Sequence, residues 1–272
     1  MSTLTASVQS FVQASDAIFA QAKVRAMALP ANTVQVWPGG ATFTTIQAAI
    51  NSITGASPQE QYQVAVGSGT FNENVAMIDN IYVIGAGQGV TFITAAPQQN
   101  FASGVVNSSS NAGISELTIT ATGGSWGACP IGIKITGSGK FHISGVNIVS
   151  TDGGTGGNNV RGISNNTGSY AGNVVLGQSS VQVSGAPETT AVGIELFGMS
   201  GFTMFVNLTA IQAESGSQSF AVSTAVNATV TLEDSKIIGG TYALYDSDGT
   251  ATITANQCTI SGQVSNGVVV NP

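Results

Sequence analysis

A loose repeat of short strands constrains this chain more than any other feature. Its leading strands are SGVVN around Gly104, GIKIT from Gly132, GISNN from Gly162, GIELF from Gly193, FAVST from Phe220, YALYD from Tyr242 and GVVVN from Gly267. They recur about every 22 to 31 residues. All but the last are followed by a second strand: ISELTIT, ISGVNIV, SSVQVSG, VNLTAIQ, EDSKIIG and NQCTISG. Short strands with glycine corners at this period define a solenoid, in which each coil buries its apolar face only against its neighbours. The chain is therefore expected to be all-β, with seven or eight coils.

The repeat also predicts which side chains face out. Ile133 and Ile135 share the inner face, so Lys134 points outward, as do Ser164, Glu195, Ser223, Tyr245 and Val269 in later coils. Rungs about 4.8 Å apart would stack these residues into a ladder along a groove. The ladder supplies the candidate binding residues Lys134, Glu195 and Tyr245. Coil length varies most at GGSWGACP, TDGGTGGNN and GAPETT, which are expected to be loops on the side of the solenoid.

Two helical patterns precede the repeat. Leu4, Val8, Phe11, Ile18, Ala22 and Leu29 give an amphipathic helix closed by Pro30. It either lies on its own solenoid or serves as an oligomerisation or docking handle. Residues 1–30 are thus set apart from a solenoid domain over 31–272. Within the latter, Ile46, Ala49, Ile50 and Ile53 recur at helical spacing, which predicts a helix over about 43–53. VQVWPGG, from Val34, reads as a short strand leading into it.

The residues that follow sharpen the fold. Phe43-Thr44-Thr45-Ile46-Gln47-Ala48-Ala49-Ile50, Gly69-Thr70-Phe71-Asn72-Glu73-Asn74-Val75 and Ile84-Gly85-Ala86-Gly87 resemble the opening of pectin methylesterases. Similar openings occur across the pectin-lyase-like right-handed parallel β-helices. The resemblance covers about fifty residues closely. It implies a right-handed, single-stranded parallel β-helix whose end is capped by the 43–53 helix and whose first coil begins at the Gly-Thr-Phe turn.

It also implies a site that this chain does not reproduce. The family uses an aspartate nucleophile, a second aspartate as acid and base, glutamines for the oxyanion and an orienting arginine. Ala191 to Leu196 resembles the family strand preceded by a glutamine, but Thr190 holds that place. Ser235 to Tyr245 resembles the coil with the nucleophile, but Tyr242 stands there. The only arginines are Arg25 and Arg161. Pectin methylesterase activity is therefore not expected.

Other polysaccharide-cleaving β-helices need only two acids on the groove, about 5 to 5.5 Å apart for retention or 6.5 to 9.5 Å for inversion. Glu195, Asp234 and Asp246 are the candidates, with Glu233 and Asp248 nearby. The competing reading is stronger: Asp in D-S-D-G bonds its own turn, and Glu on a strand face is solvated. A lyase would want clustered cations against a uronate, whereas Lys134 and Lys140 are isolated. Asp246-Ser247-Asp248-Gly249 lacks the remaining ligands of a calcium loop, and Asp152-Gly153-Gly154 lacks the repeated calcium nonapeptide. His142 is the single histidine. No metal or cofactor is expected.

Charge narrows the partners. Six Lys plus Arg against thirteen Asp plus Glu give a net charge of −7, so nucleic acid would find few cations to displace its counterions. Only 7% of residues are charged, which suits neutral sugars or another protein. Thirty-five glycines and seven prolines fit tight turns better than disorder. The start MSTLTASVQSF lacks a basic region, so no secretory signal is expected, and no run is apolar enough to span a membrane. Cys129 and Cys258 are expected as two free, buried thiols several coils apart.

Two functions follow as expectations. The first is a non-catalytic structural or adhesive solenoid, a subunit of a fibre or of a virion tail or capsid spike, with possible glycan contacts. It would be extracellular or virion-associated and would assemble through Leu4 to Leu29 and the open last coil. The alternative is a glycoside hydrolase or esterase with a carboxylate pair on the groove.

Overall fold

The computed structural model describes residues 31–39, 42–95, 103–123, 129–153, 159–165, 172–197, 201–214, 217–225, 227–265 and 267–272. The helix expected over Leu4 to Leu29, and most of the GGSWGACP and TDGGTGGNN insertions, lie outside them. Contacts divide the chain into two units, Met1–Thr33 and Val34–Pro272, and the solenoid is the second.

The solenoid is a right-handed parallel β-helix. Every pairing between its named strands is parallel, and each coil lays one stretch of strand on each of three faces in turn. The first face begins with Tyr62–Val66 and Ile81–Ile84, and the second with Gly69–Asn72 and Thr91–Ala95. Three longer strands run across a corner and serve two faces: Ala112–Thr122, Lys140–Thr151 and Lys236–Asp246. The third face carries the predicted ladder.

The short helix is Ile46–Ser52, about two turns rather than three. It starts late because Thr45 is extended and caps it, its side chain accepting the Ala48 amide at 3.3 Å. Glu73, in the first coil, completes the cap. Its two carboxylate oxygens accept the amides of Ile46 at 2.8 Å and Gln47 at 2.9 Å, a negative charge at the positive end of the helix. The helix turns Ile46, Ala49 and Ile50 into the core, all fully buried.

Between the first and second faces, from the strand Ala112–Thr122 onward, the coils turn through a left-handed residue: Glu116, Gly145, Gln178, Leu208, Asp234 and Gln257, with φ between 46° and 62°. One residue later a hydroxyl column steps from coil to coil. Ser179 bonds Gly177 O at 2.8 Å and accepts the Val146 amide at 3.1 Å. Ser235 bonds Glu233 O at 2.7 Å and accepts the Thr209 amide at 3.2 Å. Cys258 continues the column by bonding Asn256 O at 3.2 Å. Burial pushes this thiol up from its ordinary pKa, so it stays protonated at neutral pH. Neither cysteine is in a disulfide; Cys129 is buried and Cys258, expected to be buried, is half-buried.

Candidate functional site

The third face is built from strands that bend once. In Val160–Ser164, Val160 and Ile163 belong to the core, while Arg161 and Ser164 point outward. Gly162 sits at the bend facing inward: an added Cβ would lie 2.3 Å from Val181 Cγ1 and 2.5 Å from the carbonyl oxygen of Gly193. The same place is Gly132 before it, then Gly193, Ala221 and Ala243. A small residue at the bend sets outward residues three apart instead of two, so each strand presents two outward residues.

Two rows result. The predicted ladder is in register from Lys134 through Ser164, Glu195 and Ser223 to Tyr245, directly adjacent from coil to coil, and Asn107, which the sequence reading did not include, extends it by one coil. Three residues earlier runs a second row: Ile131, Arg161, Val192, Phe220 and Tyr242. Val269 is not on the ladder. It pairs with Thr254 on the first face, because the last coil is shorter and GVVVN has already turned that corner.

The ladder is also not solvated, contrary to the reading of Glu195 as an ordinary surface residue. Lys134, Arg161, Ser164 and Glu195 are all at most 5% exposed. Glu195 can be buried because its carboxylate takes the Arg161 Nε–H from the preceding coil, together with the Ser164 hydroxyl at 2.8 Å. In the sequence Arg161 stands out only as one of two arginines, with no partner assigned to it. Its partnership was visible only in the three-residue offset to Ser164. Burial pushes the Lys134 ammonium below its ordinary pKa.

At the C-terminal end of the rows the chemistry changes to aromatic. Phe220 and Tyr242 are stacked, with ring centres 6.0 Å apart and planes at 6°. Tyr245 tilts onto both, 5.0 Å from Phe220 and 4.8 Å from Tyr242. The tyrosines are half-exposed. The sequence placed Tyr245 alone on the ladder, but Tyr242 and Phe220 join it through the same offset.

The remaining candidate acids are elsewhere. Asp246 shares an inward row with Leu196 and Thr224. Its carboxylate accepts the Ala251 amide at 3.1 Å and the Thr224 hydroxyl at 3.4 Å, which fastens a turn. Asp234 is an exposed corner residue with φ 46°. Asp248 accepts the amide and hydroxyl of Thr250 at 3.1 and 2.8 Å, the turn bond that D-S-D-G predicts. Thus Glu195 and Asp246 lie on opposite faces of one sheet, and no hydrogen bond links them. Among the described residues no group of three His, Cys, Asp or Glu is placed to hold a metal. Beyond the groove, an open hollow of about 420 Å³ is lined by Asn72, Asn74, Thr94, Thr120 and Thr122, with Glu73 at its edge already bound to the helix.

These features define a right-handed parallel β-helix with an outward groove face. Among solved structures the chain is similar to pectin methylesterases. That from Aspergillus niger matches with a TM-score of 0.54 at 13% identity, covering 90% of this chain and 82% of the other. PemA from Erwinia chrysanthemi gives 0.52 at 13% identity over 90% and 82%. The carrot enzyme gives 0.50 at 15% identity over 89% and 86%. At these identities the likeness establishes the fold. No protein-family model matches the chain, and neither does any curated protein sequence.

Proposed function

We propose that this chain is a non-catalytic β-solenoid, a structural or adhesive subunit of an extracellular fibre or virion spike that contacts glycans through the Phe220, Tyr242 and Tyr245 cluster. The observation that carries this reading is the state of the groove acids. Glu195 is bound by Arg161 and Ser164, and Asp246 faces the core, so neither supports the other as acid and base. Tyr242, where the resemblance would put a nucleophile, is a stacked ring. Half-exposed aromatic faces beside hydroxyls suit sugar rings, which stack through their C–H groups.

The test is binding and turnover of a polysaccharide panel by the full chain. Retention on at least one polymer, lost in Tyr242→Ala with Tyr245→Ala and without release of reducing ends or ester groups, supports the proposal. The fold it shares with polysaccharide-active enzymes favours a second reading, an enzyme of unusual site. Turnover abolished by Glu195→Gln establishes that reading and overturns the first.

A further inference from the structure

The hollow at the start of the second face is lined by neutral polar side chains whose hydrogen bonds fix which way they point. Asn72, Thr94 and Thr120 are adjacent on three successive rungs of that face. The Thr94 hydroxyl donates to Asn72 Oδ1, which leaves the two Asn72 N–H groups for a ligand. Asn74 is held the other way round. Its Nδ2 donates to Gly104 O at 3.0 Å, which leaves its Oδ1 to accept. Thr122 accepts the Thr151 hydroxyl at 3.5 Å, so its own proton is left to donate. A volume of about 420 Å³ falls within the range of about 300–1,000 Å³ usual for small-ligand sites.

The lining also limits what can occupy the hollow. Among the described residues it includes no Lys, Arg or His, so an anion would meet only the negative charge of Glu73. A divalent cation would need that carboxylate, but both its oxygens already accept the amides of Ile46 and Gln47. An apolar ligand would strand carboxamides and hydroxyls away from water. A neutral sugar answers each group, since every hydroxyl both donates and accepts. Its ring C–H face also suits Phe92, which stands two residues before Thr94 on the same outer face.

We propose that this hollow binds a neutral saccharide, with Asn72 and Thr122 donating to its hydroxyls and Asn74 accepting from them. Because the side chains are oriented before binding, little ordering cost is left to the complex. The hollow is on the second face, whereas Phe220, Tyr242 and Tyr245 are on the third. The inference therefore does not depend on glycan contact through the aromatic cluster.

Calorimetric titration of the full chain with cellotriose, mannotriose, xylotriose and maltotriose tests it, with trigalacturonate as the anionic control. At least one neutral trimer should bind, and trigalacturonate should not. Thr120→Arg, whose side chain fills the hollow, should weaken that binding by about tenfold or more. Asn72→Ala with Asn74→Ala, two exposed positions, should weaken it likewise and carries the test if Thr120→Arg lowers the unfolding midpoint. Binding of the same trimer should survive Tyr242→Ala with Tyr245→Ala. The proposal is overturned if no neutral trimer binds, if both hollow variants bind as the parent does, or if trigalacturonate binds as tightly. Binding lost only in the tyrosine pair assigns the sugar to the groove, which supports the glycan reading above and overturns this one.

Discussion

The groove sheet and the first sheet are made by the same coils at the same rung spacing, yet they treat their outer faces in opposite ways. In the first sheet, Asn173–Gly177 and Thr203–Asn207 alternate strictly, with Val174, Leu176, Met204 and Val206 inside and polar or half-exposed residues outside. In the groove sheet Val160–Ser164 is buried along its whole length, and its outer rows hold a lysine, an arginine and a glutamate. The cause is the bend at the Gly132, Gly162 and Gly193 column. Placing outward residues three apart lets Arg161 reach diagonally to Glu195, so opposite charges neutralise each other between coils. A solenoid thus turns one face into a second interior without changing its backbone period.

If that account is right, breaking the buried pair has the largest effect. Arg161→Met leaves the Glu195 carboxylate buried without its counter-charge and should cost about 3–5 kcal/mol. Arg161→Met with Glu195→Met should recover much of that loss, since an apolar pair no longer strands a charge. Denaturant midpoints for the two singles and the double give the coupling directly. Additive losses would show that the pair is not a unit. The equivalent test on the first sheet, Thr229→Ala on an exposed outer position, should change stability by less than about 0.5 kcal/mol.

Next in size is the bend itself. Gly162→Ala adds a Cβ facing Val181 Cγ1 and the Gly193 carbonyl at under 3 Å, and should cost about 1–3 kcal/mol through forced repacking. Because the neighbouring strands must shift, the Arg161 and Glu195 geometry should loosen too, and their double-mutant coupling should shrink in the Gly162→Ala background. Coupling that is unchanged would separate the bend from the ion pair.

The fold was legible because its signals are local and repeated. Gly-Ile-Lys-Ile and Gly-Ile-Glu-Leu place a small residue, a core residue and an outward residue in fixed order, and their register in the structure follows that order. The site was harder to read. Strict alternation predicts one outward ladder and misses the row three residues earlier, so Arg161, Phe220 and Tyr242 went unassigned to the groove. Burial of that face was also invisible, since it depends on what surrounds the sheet and not on the pattern within a strand. Asp246 was a candidate groove acid by its place at the end of a strand, but it follows the outward Tyr245, so alternation itself turns it to the inner face, beside Thr224. The corner residues were illegible for a different reason: Glu116, Gln178 and Leu208 adopt a conformation in which glycine or asparagine is expected.

Leu208 turns that misfit into a prediction of opposite sign. It has φ 48° and is 53% exposed, so it bears left-handed strain and little packing compensates it. Replacing it with Asn or Gly should stabilise the fold by about 0.5–1 kcal/mol, seen as a higher unfolding midpoint. Gly145→Asn, at φ 62°, should change stability by less than about 0.5 kcal/mol, because the Glu116 carboxylate that its Cβ would meet is the far end of a flexible, exposed side chain.

The smallest effect tests the solvated side of the comparison. His142 is outward on the first sheet, its ring 6.4 Å from that of Tyr82 across the bare backbone of Gly113. Burial first, and Lys140 second, push its pKa below the ordinary imidazole value. The unfolded chain therefore binds a proton more readily than the folded one. The stabilisation from neutral His142 is complete above about pH 6.5 and is lost as pH falls through the folded value. Stability measured between pH 7 and pH 5 should decline, and His142→Gln should flatten that decline without altering the Arg161 and Glu195 coupling. A profile unchanged by the substitution would show that His142 is not the source of the acid sensitivity.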